Sequence, residues 1–117
     1  MSISLNNVNS EVVRAHQRID GIKIPGVGQK WHNVTGSRAK NTNYTNNHGV
    51  VIQVSVSWNT GTNGPNYGYI IVDGIRVAAE TNQGWSGYRT GVWAAVPPGS
   101  VYQIQSSTGV ELWAEMY

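Results

Sequence analysis

The segment 52–58 constrains the fold more than any other stretch of this chain. Its β-branched and aromatic residues alternate strictly with polar ones, in the order Ile52, Gln53, Val54, Ser55, Val56, Ser57 and Trp58. A period of two in such residues is typical of a strand with one buried face. Because the other face is polar, we predict that this strand belongs to an antiparallel β-sandwich rather than to a parallel sheet covered on both sides.

The chain after residue 58 predicts further short strands separated by turn signals. Residues 67–79 are expected to form a hairpin around Asp73-Gly74, a residue pair that favours a two-residue turn. Segments 92–96, 101–105 and 110–116 follow as strands, with turns at 97–99 and 108–109. Polar loops rich in Asn, Thr and Gly occupy 59–66 and 81–91. About seven short strands at this spacing predict an all-β sandwich.

The last predicted strand and the tryptophans complete the expected core. In segment 110–116, an apolar series alternates with a second series: Val110, Leu112 and Ala114 with Glu111, Trp113 and Glu115. The apolar series is expected to face inward, so that both glutamates are solvated and Trp113 covers a second surface. Trp31, Trp58 and Trp93 lie beside strand patterns and are expected in the core.

Residues 1–24 are expected to form a separate element, a helix and linker that precede the sandwich at 25–117. Apolar residues recur there at the intervals of a heptad seam: Leu5, Val8, Val12, Ala15, Ile19 and Ile22. The most helical part, 10–20, makes about three turns and is too short to be stable alone in water. Two alternatives stay open: an amphipathic helix packed on its own domain, or the end of a parallel coiled-coil stem.

The composition excludes several functional classes. The chain has 8 basic and 6 acidic residues, no Cys, and only 12% charged residues. Without clustered Lys and Arg between aromatic residues, nucleic-acid binding is not expected. The lack of Cys removes disulfides, thiol catalysis and Cys-based zinc sites. Neither a long apolar run nor a signal-peptide pattern occurs, so membrane insertion and export are not expected either.

The titratable residues form no catalytic pattern. The carboxylates are Asp20, Asp73, Glu11, Glu80, Glu111 and Glu115. Glu111 and Glu115 are expected about 13 Å apart on one strand face, beyond the separation of about 5–9.5 Å in a glycosidase pair. A pairing of Glu80 with one of them is the open alternative. His16, His32 and His48 lack the spacing of a metal site. We therefore expect no enzyme, no cofactor and no metal.

The two polar loops contain the residue types that bind sugars. Sugars present apolar C–H faces and many hydroxyls, so an exposed aromatic ring beside amide or Arg side chains suits them. The predicted ligand-binding residues are Trp85, Tyr88, Arg89, Asn82 and Gln83 in the later loop and Asn63, Asn66 and Tyr67 in the earlier one. The alternative for Trp85 is burial under its own loop or against another subunit.

Residues 34–57 carry the pattern V-T-x-S-R-A-x-x-T-x-Y-T-N-x-x-G-x-x-I-x-V-S-V-S, followed by V-P-x-G-x-x-Y at 96–102 and a close at Leu112-Trp113-Ala114-Glu115. Together these segments resemble the C-terminal knob domain of tailed-bacteriophage tail fibres. The middle of the chain, 59–91, has no counterpart in that pattern. Arg38 belongs to the pattern and is expected to hold the polar segment through a hydrogen bond or ion pair rather than to contact a ligand.

The resemblance implies a trimeric, receptor-binding β-sandwich knob at the fibre tip of the virion tail, assembled in the host cytoplasm. Its implied partners are two further copies of the chain, the rest of the fibre, and a bacterial surface polysaccharide or outer-membrane receptor. The heptad seam is then the trimerisation element, and a histidine near the three-fold axis could bind an ion. The alternatives are a purely structural trimerisation or capping module and, less favoured, a capsule or lipopolysaccharide depolymerase.

Overall fold

The computed structural model describes residues 24–59, 65–82 and 89–117, and over these residues the fold consists of short strands and one 3-10 turn at Thr35–Ser37. The strands are β1 (Trp31–Asn33), β2 (Tyr44–Thr45), β3 (Ile52–Asn59), β4 (Asn66–Val72), β5 (Ile75–Asn82), β6 (Arg89–Val96), β7 (Val101–Ser106) and β8 (Val110–Met116).

These strands form two four-stranded antiparallel sheets. Sheet A has the order β1-β8-β3-β6, and sheet B has the order β2-β7-β4-β5. The predicted all-β antiparallel sandwich is therefore confirmed. The predicted stem lies outside the described residues, as does its seam of Leu5, Val8, Val12, Ala15, Ile19 and Ile22. The helix, the trimer and the domain boundary at residue 24 consequently stay predictions.

The core lies between the two sheets and is centred on β3. The alternation read from the sequence holds, because the side chains of Ile52, Val54, Val56 and Trp58 are all 1% exposed or less. Ile70 of β4 and Ile104 of β7 meet them from sheet B. The ring of Trp58 occupies the space beside Gly68, where an added Cβ would lie 2.2 Å from Cη2 of the indole. Gly68 therefore leaves the room that Trp58 needs.

The turn between β4 and β5 has the conformation that its sequence predicts. Asp73 and Gly74 both have positive φ, 51° and 80°, as the two central residues of a type I′ turn require. The Asp73 carboxylate accepts hydrogen bonds from the Ser100 hydroxyl at 2.7 Å and from the Val101 amide at 2.9 Å. These two bonds hold the pKa of Asp73 below its ordinary value and tie the hairpin to β7.

The predicted orientation of β8 holds for Val110, which packs against the core, but is wrong beyond Glu111. The pairing of β3 with β8 shifts between Ser57 and Trp58, so that Val110 lies opposite Trp58 while Leu112 lies opposite Ser57. Glu111 is the extra residue of a β-bulge, and a bulge reverses the alternation beyond it. Trp113 and Glu115 consequently face the core, at 1% and 0% exposure, and Leu112 faces outward at 47%.

The tryptophans divide between the core and the surface. Trp58 is fully buried, as predicted, but Trp31 and Trp93 are 55% and 66% exposed, so the prediction of core positions for these two is wrong. Trp93 lies opposite Ser55, on the outward side of β3. The inward positions of β6 belong to Thr90, Val92, Ala94 and Val96.

Candidate functional site

The outer face of sheet B contains a groove of about 510 Å³. Six of its lining residues are Asn43, Ile71, Asp73, Val101, Gln103 and Gln105. They come from the segments 43–45, 71–74 and 101–105, which the pairing of β2, β7 and β4 brings side by side. The groove is therefore built on paired strands and the hairpin turn, which position its side chains more rigidly than loops do.

Strand register decides which residues reach this face. Tyr102, Ile104 and Ser106 are buried, so Gln103 and Gln105, which alternate with them, point outward. Ile71 lies opposite Gln103, and Tyr69 lies opposite Gln105. On the other side of β4, the register shifts between Ile70 and Ile71, which places Arg76 opposite Ile71 and on the same outer face.

Three amides on this face, Asn43, Gln103 and Gln105, form a hydrogen-bonded amide row. The Gln105 amide donates to Gln103 Oε1 at 2.7 Å, and the Gln103 amide donates to Asn43 Oδ1 at 3.0 Å. These bonds fix the orientation of every amide in the row. Since each NH₂ group carries two hydrogens, each amide retains a donor for a ligand.

A tyrosine strip, formed by Tyr67 and Tyr69 of β4, lies beside the amide row. The two rings stack with centroids 5.1 Å apart and planes 20° from parallel. The Arg76 guanidinium lies 3.6 Å from the centroid of the Tyr69 ring, a cation–π contact that holds both side chains in place. Tyr67 is 42% exposed, so its ring is open to a ligand.

The predicted ligand-binding residues are distributed unevenly with respect to this face. Tyr67 lies on it, whereas Asn66 points inward and is only 5% exposed, so its side chain does not reach the groove. Asn82 and Arg89 are strand ends for which only the backbone is described, and Asn63, Gln83, Trp85 and Tyr88 lie outside the described residues.

The ends of the two predicted binding loops nevertheless meet. Asn59 pairs with Arg89 in sheet A, and Asn66 pairs with Asn82 in sheet B. Trp58, just before the first loop, packs on Gly68, just after it, so both pairs lie at the same end of the sandwich. The tyrosine strip runs along β4 to this end. The described part of the fold thus brings the flanks of both loops next to Tyr67.

A second polar cluster lies in the interior and is structural. The Glu115 cluster consists of the Glu115 carboxylate and its three donors: Arg38 at 2.9 Å, the Tyr102 hydroxyl at 2.6 Å and the Trp113 indole at 3.1 Å. The expectation of a solvated Glu115 is wrong, because the bulge in β8 turns this side chain inward. The structural role expected of Arg38 is confirmed by its ion pair with Glu115.

Two of the groups that bond to Glu115, Arg38 and Tyr102, have raised pKa values. Burial disfavours the charge on Arg38, but the hydrogen bond and negative charge of Glu115 outweigh it and raise the pKa of Arg38. Burial, followed by the hydrogen bond and charge of Glu115, raises the pKa of the Tyr102 phenol. Tyr102 therefore remains a hydrogen-bond donor at neutral pH. With both carboxylate oxygens bonded inside the protein, this cluster does not present a group to a substrate.

Two histidines that look isolated in the sequence share one partner in space. The His32 ring stacks on Tyr117 with centroids 3.8 Å apart, and the His48 ring stacks on Tyr117 at 4.2 Å. The pairing of β1 with β8 brings His32 next to Tyr117.

Among residues 24–59, 65–82 and 89–117, no three His, Asp or Glu side chains are grouped so that they could hold a metal ion. The same residues include no helix with the length and apolar character of a membrane span.

Comparison with known proteins identifies no family for this chain, so a functional assignment depends on the geometry of the site. No family model matches the chain, and no curated protein or solved structure shows significant similarity to it. The resemblance of residues 34–57 to tail-fibre knobs stays a prediction.

The sequence did not single out the amide row, Tyr69 or Arg76. The alternation of Gln103 and Gln105 with Tyr102 and Ile104 is the one signal that could have placed these amides on an outer face.

Proposed function

We propose that this domain is the tip of a bacteriophage tail fibre and that it binds a bacterial surface glycan on the outer face of sheet B. The observation that carries this proposal is the amide row of Gln105, Gln103 and Asn43 beside the tyrosine strip. The sequence pattern at 34–57 supports the phage context, and the groove supports the choice of ligand.

The chemistry of the groove suits a neutral or weakly acidic sugar chain. Each amide offers both a donor and an acceptor, which is what a pair of sugar hydroxyls requires. The ring of Tyr67 provides an apolar surface for the C–H face of a sugar, and its hydroxyl provides a polar contact. Because Gln103 and Gln105 are already oriented by each other, little side-chain freedom is lost when a sugar binds.

The proposed biological unit is a homotrimer joined to the rest of the fibre at the virion tail. An individual groove of this shallow kind is expected to bind a sugar weakly. Linking several grooves raises the overall affinity by about 10²–10⁴ when their spacing matches the ligand. A repeating surface polysaccharide presents such a spacing. The predicted binding loops, 59–66 and 81–91, have their flanks next to Tyr67 and would add selectivity.

A matched pair of variants tests the proposal. Gln103→Ala removes the middle of the amide row, and Gln53→Ala makes the same change at a half-buried outward position of sheet A. A glycan array on the purified full chain selects an oligosaccharide, and titration calorimetry then measures its affinity for each variant. We expect Gln103→Ala to lose about tenfold or more, since about two hydrogen bonds of roughly 1 kcal/mol are lost, and Gln53→Ala to bind like the wild type.

Two results would contradict the proposal. One is a glycan that binds equally well to wild-type, Gln103→Ala and Gln53→Ala proteins. The other is an array on which the folded wild-type protein binds no glycan. Circular dichroism on both variants shows that they are folded, so that a loss of binding is not mistaken for a loss of structure.

A purely structural role, in trimerisation or capping of the fibre, is the second candidate. The observation that favours it is the exposure of Trp31 and Trp93 on the outer face of sheet A, away from the groove. Because Gln103 lies on sheet B, Gln103→Ala should leave assembly intact in either role. Host adsorption of the assembled Gln103→Ala protein separates the two roles, since a receptor-binding tip loses adsorption and a structural module keeps it.

A further inference from the structure

The outer face of sheet A is uncharged over its centre. Three rows of outward residues cross the sheet at Gln53, Ser55 and Ser57. The middle row runs through Asn33, Ala114, Ser55 and Trp93, and none of the three rows contains a charged residue. We call these three rows the tryptophan face. The opposite outer surface, on sheet B, carries Arg76 beside its amides, so the two faces of the sandwich differ in chemistry.

Large apolar side chains on the tryptophan face are open to water. Trp31 is 55% exposed, Trp93 66% and Leu112 47%. Together the two indoles expose on the order of 300 Å² of ring, more than a third of the roughly 800 Å² that one partner contributes to a standard interface. Between them lie small residues such as Ser55 and Ala114, which leave the centre of the sheet low enough for another surface to approach closely.

The chain that precedes β1 indicates what covers this face. Residues 5–22 have the sequence pattern of a parallel seam between copies, and its last residue, Ile22, lies nine positions before Trp31. Nine residues span at most about 30 Å. In between, Ile24 and Val27 are 49% and 69% exposed, so the linker also presents apolar side chains to water. Copies joined at the seam would hold their tryptophan faces within reach of each other.

From these observations we infer that the tryptophan face is an interface between copies of this chain. Its occupant is the equivalent face of a neighbouring copy, and Trp31 and Trp93 are the anchors that fill it. An interface of this kind leaves the amide row and the tyrosine strip pointing away from the other copies. The inference concerns assembly alone and does not depend on what the amide row binds.

Two single-cysteine variants of the full chain test the interface. The protein has no Cys, so each variant carries one thiol. Ala95→Cys lies on the tryptophan face in β6, and Ala79→Cys lies on the outer face of sheet B in β5. Both alanines are exposed and both strands are sheet edges, so the pair is closely matched. We expect a bulky maleimide to label position 95 about tenfold more slowly than position 79, which corresponds to about 1.4 kcal/mol of protection.

A third variant connects this protection to assembly. Trp93→Arg places a charge on the face at a site that is exposed within one copy, so the fold tolerates it. In the Trp93→Arg background, we expect Ala95→Cys to label as fast as Ala79→Cys. Equal labelling of the two thiols in the wild-type background would overturn the inference. A single-copy mass in sedimentation of the wild-type chain would overturn it as well, while leaving glycan binding to a single groove untouched.

Discussion

Replacing Arg38 with Met leaves the Glu115 carboxylate in the core without its cation. Methionine retains the unbranched apolar stem of arginine and removes only the guanidinium, so the packing of the segment around residue 38 is largely preserved. In the wild type, Arg38 Nη2 lies 2.9 Å from Glu115 Oε1, and the Glu115 side chain has no exposed surface. The hydroxyl of Tyr102 and the indole of Trp113 both bond to Oε2, so Oε1 depends on Arg38.

The expected loss of unfolding free energy at pH 7 is about 3 kcal/mol. Removing one partner of a buried pair typically costs about 3–5 kcal/mol, and the 23% exposure of Arg38 places this pair at the lower end. With a urea dependence of about 2 kcal/mol per molar, the unfolding midpoint falls by about 1.5 M.

Tryptophan fluorescence during urea unfolding at pH 7 provides the measurement. Adding Glu115→Gln to Arg38→Met should recover stability, because glutamine still accepts from Tyr102 and Trp113 but carries no charge. A loss below about 1 kcal/mol at pH 7, or a double variant no more stable than Arg38→Met alone, would refute this account of the cluster.

Two further predictions concern the core. Gly68→Ala should lower the unfolding free energy by about 3 kcal/mol, because the added Cβ meets the buried Trp58 ring. This loss is at the upper end of those measured for overpacked cores. Gly36→Ala is the control, since an added Cβ there meets nothing within 4 Å. If urea unfolding gives both variants the same midpoint, the close packing on Trp58 is wrong. Since the folded-state pKa of Tyr102 is raised above 10.0, its stabilising contribution is complete below pH 10 and falls by up to about 1.4 kcal/mol per unit above it. Tyr102→Phe should lack this alkaline loss in thermal unfolding between pH 9 and 11; an equal loss in both proteins would contradict it.

The sequence predicted those elements whose signal is local. Alternation over 52–58 identified the central strand with its buried face, and Asp73-Gly74 identified a turn that requires positive φ at both positions. The prediction from sequence failed for β8, because a pattern of period two contains no information about an extra residue. The bulge at Glu111 depends on pairing with β3, more than fifty residues away in sequence, and it reverses the faces of Leu112 and Trp113.

The candidate site was harder to predict because it depends on register. Gln103 and Tyr69 belong to β7 and β4, Asn43 directly precedes β2, and each is unremarkable in its own segment. They become one surface only when β7 pairs with both β2 and β4. A second shift between β4 and β5 then adds Arg76 to the same face. Sequence reasoning therefore placed the binding residues in the loops, where polar and aromatic residues cluster visibly, and included only Tyr67 from the described face.

Two of the residues that carry the tail-fibre resemblance, Arg38 and Asn46, have partners within the fold. Arg38 pairs with Glu115, and the guanidinium also lies 4.9 Å from the centroid of the Tyr44 ring. Asn46 is 1% exposed, and its amide donates to the carbonyls of Val50 at 2.8 Å and Val96 at 3.0 Å, which closes the loop that enters β3. These contacts leave the pattern little freedom to vary, whereas the amide row on the outer face of sheet B can change without disturbing any of them. Under the proposed function, ligand choice should therefore follow the groove and the segment 59–91, where the pattern has no counterpart, rather than the pattern residues at 34–57.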